Sequence, residues 1–170
     1  LDNQYKILLD LTVHRYDEVN SRNETVDDKN KSMVAFMGVL LTLEVNAVIN
    51  VLEFVSKFQC VNCIRILTVV GIISVLCYLI SILYFISAVN FVNKFQEAPV
   101  LDEVISFIQN EESYDGIIKQ NIVNFKKCIE DNHKIIEGKT QKAKEAFKFL
   151  KYGILSTVLF IILFILILWG

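Results

Sequence analysis

Proline and glycine are scarce in this chain of 170 residues, which contains one proline and six glycines. Few helix-breaking residues favour long helices and exclude a collagenous or low-complexity chain. Four cysteines are too few for a fold held together mainly by disulfide bonds. Charged residues make up only 21% of the chain and nearly cancel, to a formal net charge of −2. A phosphate-binding domain is usually strongly basic, so nucleic acid is not expected as a partner.

Hydrophobic residues are abundant by contrast. They account for 54% of the chain, and the mean hydropathy is +0.46. A disordered chain is far less hydrophobic than this. A soluble domain of this size leaves much of its surface in water and has too little interior to hide so many apolar side chains. The distribution of charge along the chain therefore decides its class.

Two segments lack charge over a length sufficient to cross a bilayer. No Asp, Glu, Lys or Arg occurs in the 28 residues from Ile66 to Asn93, or in the 19 residues from Tyr152 to Gly170. The hydrocarbon core of a bilayer is about 30 Å thick, which about 20 helical residues span. Both segments are far from the N-terminus, and the second has no cleavage pattern, so neither is a signal peptide. Transmembrane helices are predicted over residues 64–93 and 149–170.

A third span is predicted over residues 33–55, where Glu44 and Glu53 interrupt an otherwise apolar segment. A re-entrant segment and a buried soluble helix are the alternatives. Glu53 lies near one end of the segment, where its carboxylate can reach the interface. Glu44 lies near the middle, where an ionised carboxylate costs a few kcal/mol unless it is protonated, paired or facing protein.

The orientation follows from the basic residues near the ends of the spans. Lysine and arginine are concentrated before the first span and between the second and third, whereas the first loop has only Lys57 and Arg65. Three crossings place residues 1–31 and 94–148 on the same side. The prediction is one membrane domain, residues 1–170, in the cell (inner or plasma) membrane, with those two segments cytoplasmic and the C-terminus outside.

The segments outside the spans are predicted to be helical. Residues 1–31 show the apolar spacing of an amphipathic helix, and a short helix is expected over Val100–Gln109, before a turn with Ser113 as N-cap. From Tyr114 the apolar residues recur at steps of three, four and seven, a heptad-like seam that continues into the third span. One long helix is therefore predicted, with Gly138 as its weak point. The fold class is an all-α membrane protein with three transmembrane helices and a cytoplasmic, coiled-coil-like extension.

Polar residues follow one face of the first predicted span. Asn46, Asn50 and Glu53 are spaced i, i+4 and i+7, and Thr42 lies one turn earlier. Unpaired polar groups are unfavourable in hydrocarbon, so this face is expected to meet protein or water. The two alternatives are hydrogen bonds between spans or subunits, and the lining of a water-filled path in an oligomer. Glu44 lies on roughly the opposite side and is expected to contact another helix.

Cys60 and Cys63 form a CxxC pair in the loop between the first two spans. One pair supplies only two of the four ligands of a structural zinc site, and a thioredoxin-like role needs a βαβ context that is absent. An outward-facing loop permits a disulfide within the loop or between subunits; a structural or incidental role is the alternative. No Walker loop, GxGxxG, HExxH or nucleophile elbow occurs, so no catalytic residue, cofactor or metal site is expected.

Two stretches resemble a known family. Around the first span, Asp27 and Lys29 form an Asp-x-Lys motif that is followed by the small residue Gly38 and a leucine-rich run. This pattern resembles the start of the membrane domain of Pycsar effector proteins, although Asn30 departs from the alanine that usually follows the lysine. Asp27 and Lys29 are expected to form an ion pair at the membrane interface or to mark the entry of the helix.

The second stretch resembles the family's acidic-Tyr turn at Tyr114 and its long cytoplasmic helix with a recurring lysine at Lys139. The resemblance implies a membrane effector of anti-phage defence and not an enzyme. In complete Pycsar systems a cyclase makes a cyclic pyrimidine mononucleotide, a sensor domain binds it, and the membrane domain then impairs membrane integrity. This chain has no candidate nucleotide-binding domain, so a sensor domain or protein would be supplied elsewhere.

The expected partners are the lipid bilayer and further copies of the chain, which would assemble into a homo-oligomer. An insertase-type factor of membrane-protein biogenesis is an alternative, because such factors also combine three spans with a helical arm. They tend to place the arm between the first two spans and to keep a basic residue in the membrane, and this chain does neither. A membrane anchor and oligomerisation module for an absent partner is the third alternative.

Overall fold

A computed structural model of the chain describes residues 2–57, 61–91, 95–97 and 114–169. These residues form three helices and no strand: α1 (Asp2–Ser56), α2 (Val61–Val89) and α3 (Tyr114–Trp169). Each helix is long and apolar enough to cross a membrane. The all-helical class is therefore confirmed, as is the number of helices able to span a bilayer.

The helix boundaries differ in two places from those expected. The chain is predicted to form an amphipathic helix over residues 1–31 and a span over 33–55, but α1 continues through both. Charged residues around position 30 favour water over lipid around this part of the helix, but they do not interrupt its backbone hydrogen bonds. α2 ends at Val89, four residues before the predicted end of its span, and Asn90 donates the final backbone bond to Ile86, at 2.9 Å.

The long third helix begins at Tyr114 and continues to Trp169, as the heptad-like seam predicts. Gly138, the expected weak point, is helical and lies against the ring of Phe91. A Cβ atom added at Gly138 would be 2.6 Å from the ring Cζ of Phe91. A larger residue here would therefore require the Phe91 ring to shift. The helix predicted over Val100–Gln109, and Ser113 after it, lie outside the described residues.

The chain divides into two compact units. The polar unit comprises Leu1–Asp28 with Phe91–Lys139, and the apolar unit comprises Lys29–Asn90 with Thr140–Gly170. α1 and α3 contribute residues to both units, whereas α2 lies wholly in the apolar unit. The predicted spans fall almost entirely in the apolar unit.

Side chains from all three helices form the core of the apolar unit. One cluster joins Met37 of α1 to Phe85 of α2 and Leu150 of α3. A second cluster joins Val48 of α1 to Phe160 of α3 and includes Leu67 of α2. In the most hydrophobic stretches of α1, α2 and α3, only 17%, 28% and 11% of the residues are buried. Most of the apolar surface thus faces outward, which is favourable in lipid and unfavourable in water.

In the polar unit, side chains from two helices hold the short segment of residues 95–97. The Gln96 backbone N–H donates to Asn132 Oδ1 at 2.6 Å, and Asn132 Nδ2 donates back to the Gln96 carbonyl at 2.9 Å. The Tyr16 hydroxyl donates to the same carbonyl at 3.2 Å. Asn132 is completely buried, so this pairing satisfies a side chain that would otherwise be unfavourable inside the unit.

Candidate functional site on the first helix

The part of α1 that lies in the apolar unit has two opposite faces. One face carries Met37, Glu44, Val48 and Val55, which are buried and recur at intervals of seven, four and seven residues. The opposite face is exposed, and it also carries the apolar side chains of Val39 and Ile49. We call its small and polar residues the outer stripe; they are Ala35, Gly38, Thr42, Asn46, Asn50 and Glu53.

The outer stripe contains three polar side chains without a partner in the described part of the chain. Thr42 is satisfied within its own helix, because its hydroxyl donates to the Gly38 carbonyl at 2.9 Å. No described residue hydrogen-bonds to the side chains of Asn46, Asn50 or Glu53. Each asparagine therefore presents two N–H donors and one carbonyl acceptor to its surroundings. Hydrogen bonds between spans of one protomer, one of the expected alternatives, do not involve these side chains here.

Glu44 has a different environment, although it belongs to the same helix. It is only 7% exposed, and it accepts a hydrogen bond from the hydroxyl of Ser74 on α2. The structure thus separates Glu44 from the outer stripe, on the opposite side of the helix. It joins two helices of one protomer and lines no external surface.

Polar groups on α2 and α3 likewise form hydrogen bonds inside the apolar unit. Tyr78 and Thr157 share a hydrogen bond between their hydroxyl oxygens, 3.1 Å apart, and the Ser81 hydroxyl donates to the Ala146 carbonyl at 2.8 Å. These contacts are not among those predicted from the sequence. The signal was the spacing of Ser74, Tyr78 and Ser81, which repeats the i, i+4, i+7 pattern of the outer stripe on a second helix.

Two positions that carry the family resemblance meet in the polar unit. The ammonium of Lys139 lies 2.8 Å from both carboxylate oxygens of Asp27, which is 112 residues away in the sequence. It also donates to Asn23 Oδ1 at 2.8 Å. The Lys139 side chain is 7% exposed and that of Asp27 is 22% exposed. All three N–H donors of the lysine thus have acceptors close by.

The expected pair of Asp27 with Lys29 is not formed. Residues two apart on a helix point in different directions, and the structure leaves Lys29 exposed while Asp27 turns toward Lys139. Asp27 also marks no helix entry, since it lies inside α1. Among the other motif positions, Gly38 is exposed and Tyr114 begins α3; the Tyr114 side chain lies outside the description.

Cys63 lies in the first turn of α2 and is disulfide-bonded. Cys60, its expected partner, lies outside the described residues. Cys77 and Cys128 are not disulfide-bonded. Within the described ranges, no three His, Cys, Asp or Glu side chains are arranged to hold a metal ion.

The polar unit also contains a cleft of about 590 Å³ between α1 and α3. Basic and acidic groups alternate along it, so it has no net preference for an anion or a cation. Its lining residues are Arg15, Val19, Ile129, Glu130, His133, Lys134 and Glu137. Among these residues, Lys134 has a pKa raised above its ordinary value by a hydrogen bond to Asp131.

The outer stripe therefore presents exposed polar side chains that have no partner among the described residues. Amide and carboxylate groups lie exposed on a helix that is able to span a membrane. Comparisons of the chain with protein-family models, with curated proteins and with solved structures find no match.

Proposed function

We propose that this chain is a non-enzymatic membrane effector of anti-phage defence, in which several copies assemble in the cell membrane and impair its integrity. The outer stripe is the observation that carries this proposal. Hydrocarbon offers no hydrogen-bond partner, so Asn46, Asn50 and Glu53 require water or the polar groups of a further copy. Polar and ionisable groups at membrane depth commonly border the pathway of an ion or substrate.

The length of the outer stripe suits a path across the bilayer. From Ala35 to Glu53 the stripe extends about 27 Å along the helix, close to the thickness of the hydrocarbon core. When copies turn this face toward a common axis, Asn46, Asn50 and Glu53 border water and can hydrate a passing ion. Exposed apolar side chains beside the stripe, such as Phe36 and Leu43, then remain in contact with lipid.

The proposed orientation places the N-terminal segment and residues 94–148 in the cytoplasm, where the latter form a helical, coiled-coil-like extension. Its lysines lie close to the anionic headgroups of the cytoplasmic leaflet. The signal, a cyclic nucleotide in the related systems, is received by a sensor domain or protein supplied elsewhere. The buried contact of Asp27 with Lys139 supports the resemblance, because it joins residues from both of the stretches that carry it.

The test is a comparison of variants expressed at the same level in cells. Asn50→Leu with Glu53→Leu removes polarity from the outer stripe, and we expect it to insert normally but to lose the membrane depolarisation and growth arrest caused by the parent. The matched control, Val39→Leu with Leu43→Ile, changes two exposed apolar residues of the same helix and should depolarise cells as the parent does.

Equal depolarisation by the parent and the Asn50→Leu, Glu53→Leu variant would exclude the stripe as the path. If the chain is instead a biogenesis factor of the insertase type, the parent should crosslink to nascent membrane proteins and leave the membrane potential unchanged.

A further inference from the structure

Three aromatic rings form a continuous surface across α2 and α3. The ring of Tyr84 on α2 stacks on that of Phe149 on α3, with centroids 5.5 Å apart and an angle of 14° between the planes. The Phe149 ring also makes an edge contact with the ring of Tyr152, with centroids 6.4 Å apart. Aromatic pairs of this kind favour defined orientations, so the contacts fix the positions of both phenol groups. We call Tyr84, Phe149 and Tyr152 the aromatic ledge.

Both phenol groups of the aromatic ledge are open to the surroundings. Tyr84 is 37% exposed and Tyr152 is 58% exposed. No residue in the described ranges hydrogen-bonds to either hydroxyl. Tyr78, which is buried on α2, differs because its hydroxyl shares a hydrogen bond with that of Thr157. The ledge therefore offers two O–H donors to an acceptor outside the protomer.

A lysine ammonium lies close to these two donors. Lys148 is four residues before Tyr152, on the same face of α3. A hydrogen bond to Glu145, at 2.6 Å, raises the pKa of Lys148 above its ordinary value. Tyr152 and Tyr84 raise that pKa further, which places the ammonium near both phenol groups. Glu145 accepts only one of the three N–H donors of the ammonium, so the others remain available to a second acceptor.

The surroundings of the aromatic ledge change along α3 from charged to apolar. Lys151 is exposed and is the last charged residue of the helix, and no charge follows from Tyr152 onward. Leu155, one turn beyond Tyr152, is 65% exposed. Tyrosine is enriched where hydrocarbon meets the headgroups of a bilayer, and lysine side chains extend from helix ends to the same depth. The groups that meet the ledge at this depth are the phosphates of phospholipids.

We propose that the aromatic ledge and Lys148 form a binding site for the headgroup of an anionic phospholipid. A phosphate diester carries one negative charge, and its oxygens accept charge-assisted hydrogen bonds from the ammonium and from both phenol groups. The acyl chains then lie along the apolar surface that includes Leu155.

Charge gives the site its preference among phospholipids. In phosphatidylcholine a positive choline group follows the phosphate, and Lys148 and Lys151 repel it. Phosphatidylglycerol has the same phosphate diester without a positive group, so it fits the site better. This inference requires only that the helices lie in a bilayer, and it is independent of the proposed role in defence.

Quenching of tryptophan fluorescence by brominated lipid tests the preference with the full chain in vesicles. Trp169 is the only tryptophan of the chain, so Leu155→Trp combined with Trp169→Phe places a single reporter beside the ledge. In phosphatidylcholine vesicles that contain a minor fraction of acyl-brominated phosphatidylglycerol, we expect quenching that corresponds to about tenfold enrichment at this reporter. The parent reports from Trp169, about 25 Å beyond Tyr152 along α3, and should show random mixing.

Variants of the reporter chain distinguish a site from a general effect of charge. Lys148→Gln should lower the enrichment about fivefold, and Tyr84→Phe with Tyr152→Phe, which keeps the rings, should lower it by a similar factor. Lys134→Gln is the matched control, because Lys134 also pairs with an acidic residue three positions earlier but belongs to the polar unit. It should leave the enrichment unchanged.

Equal losses in the two lysine variants, or full enrichment in the phenylalanine variant, would refute the site. Random mixing at the Leu155→Trp reporter would refute it as well. Inorganic phosphate added at constant ionic strength should have no effect. If it abolishes the enrichment, the groups bind a free phosphate ion and the assignment to a lipid headgroup is wrong.

Discussion

At the scale of single residues, the ion pair of Lys139 with Asp27 differs in its burial from the surface pairs of the chain. The Lys139 side chain is 7% exposed, whereas that of Lys134, paired with Asp131 at 3.0 Å, is 74% exposed. Exposed pairs contribute little to stability, because water and salt screen them. Removing one partner of a buried pair leaves the other charge uncompensated and costs about 3–5 kcal/mol.

We therefore expect Lys139→Met to lower the free energy of unfolding by about 3 kcal/mol, at the lower end of that range because Asp27 remains partly exposed. Denaturant unfolding in detergent, followed by circular dichroism, measures the change. Lys134→Met is the control and should leave the midpoint unchanged. The account of the pair fails if the two variants unfold alike.

Gly138 gives a second prediction at this scale. Alanine is favoured over glycine inside a helix by about 1 kcal/mol, yet we expect Gly138→Ala to destabilise the protein because its methyl group would meet the Phe91 ring. Phe91→Ala removes the ring, and adding Gly138→Ala to it should stabilise. A double-mutant cycle with a coupling energy of about 1 kcal/mol or more checks this. Additive effects would show that the ring and the glycine do not interact.

Both members of the buried pair stand out in the sequence, but their contact could not be predicted from it. Asp27 and Lys139 each belong to a short motif, and nothing local shows that residues 112 positions apart will meet. Lys29 is closer to Asp27 in the sequence, but residues two apart on a helix point in different directions. Proximity in the sequence therefore suggested the wrong partner. Asn132 was missed because a single asparagine on a polar helix has no pattern that distinguishes a buried amide from an exposed one.

At the scale of the helices, the 3.6-residue period of α1 was sufficient to separate its two polar faces. It placed Asn46, Asn50 and Glu53 together and Glu44 apart, as the structure has them. Which face packs inside the protomer does not follow from α1 alone. It is decided by α2, where Ser74 supplies the hydrogen bond to Glu44 and Gly71 leaves room for Val48.

Two glycines at this scale offer a matched pair of variants. Gly71→Ile places a side chain where Val48 already lies, so we expect it to lower the free energy of unfolding by about 1–3 kcal/mol. Gly38→Ile adds the same side chain to open space and should leave the stability of a single protomer unchanged. Thermal unfolding in detergent at high dilution, where protomers are separate, compares the two. Loss of stability in Gly38→Ile alone would contradict the assignment of inner and outer faces.

At the scale of the whole molecule, charge-free length predicted the candidate spans and the heptad-like seam predicted α3 as one helix. The continuity of α1 was not predicted, because hydropathy reports the surroundings that a segment prefers and not whether its backbone hydrogen bonds continue. Lys29 and Lys31 end the apolar run, yet both are good helix formers within α1. Contacts between distant segments, such as that of Gln96 with Asn132, also could not be predicted from the sequence.

The proposed topology predicts which side of the membrane each segment occupies. In a background where Cys77 and Cys128 are replaced by alanine, Lys57→Cys should react with a membrane-impermeant maleimide in intact cells. Arg15→Cys and Lys126→Cys should react only after the membrane is permeabilised, because basic flanks stay in the cytoplasm. Labelling of Lys126→Cys in intact cells would contradict the proposed orientation and show that this segment lies outside.

The most direct test of the central claim is the release of a trapped dye from sealed vesicles that contain the purified protein. High protein density drives assembly by mass action and so substitutes for the missing signal. We predict that the parent and the Val39→Leu, Leu43→Ile control release the dye at the same rate, and that Asn50→Leu with Glu53→Leu retains it. Equal release by all three proteins, or vesicles that stay tight with the parent at every protein density, would contradict the account.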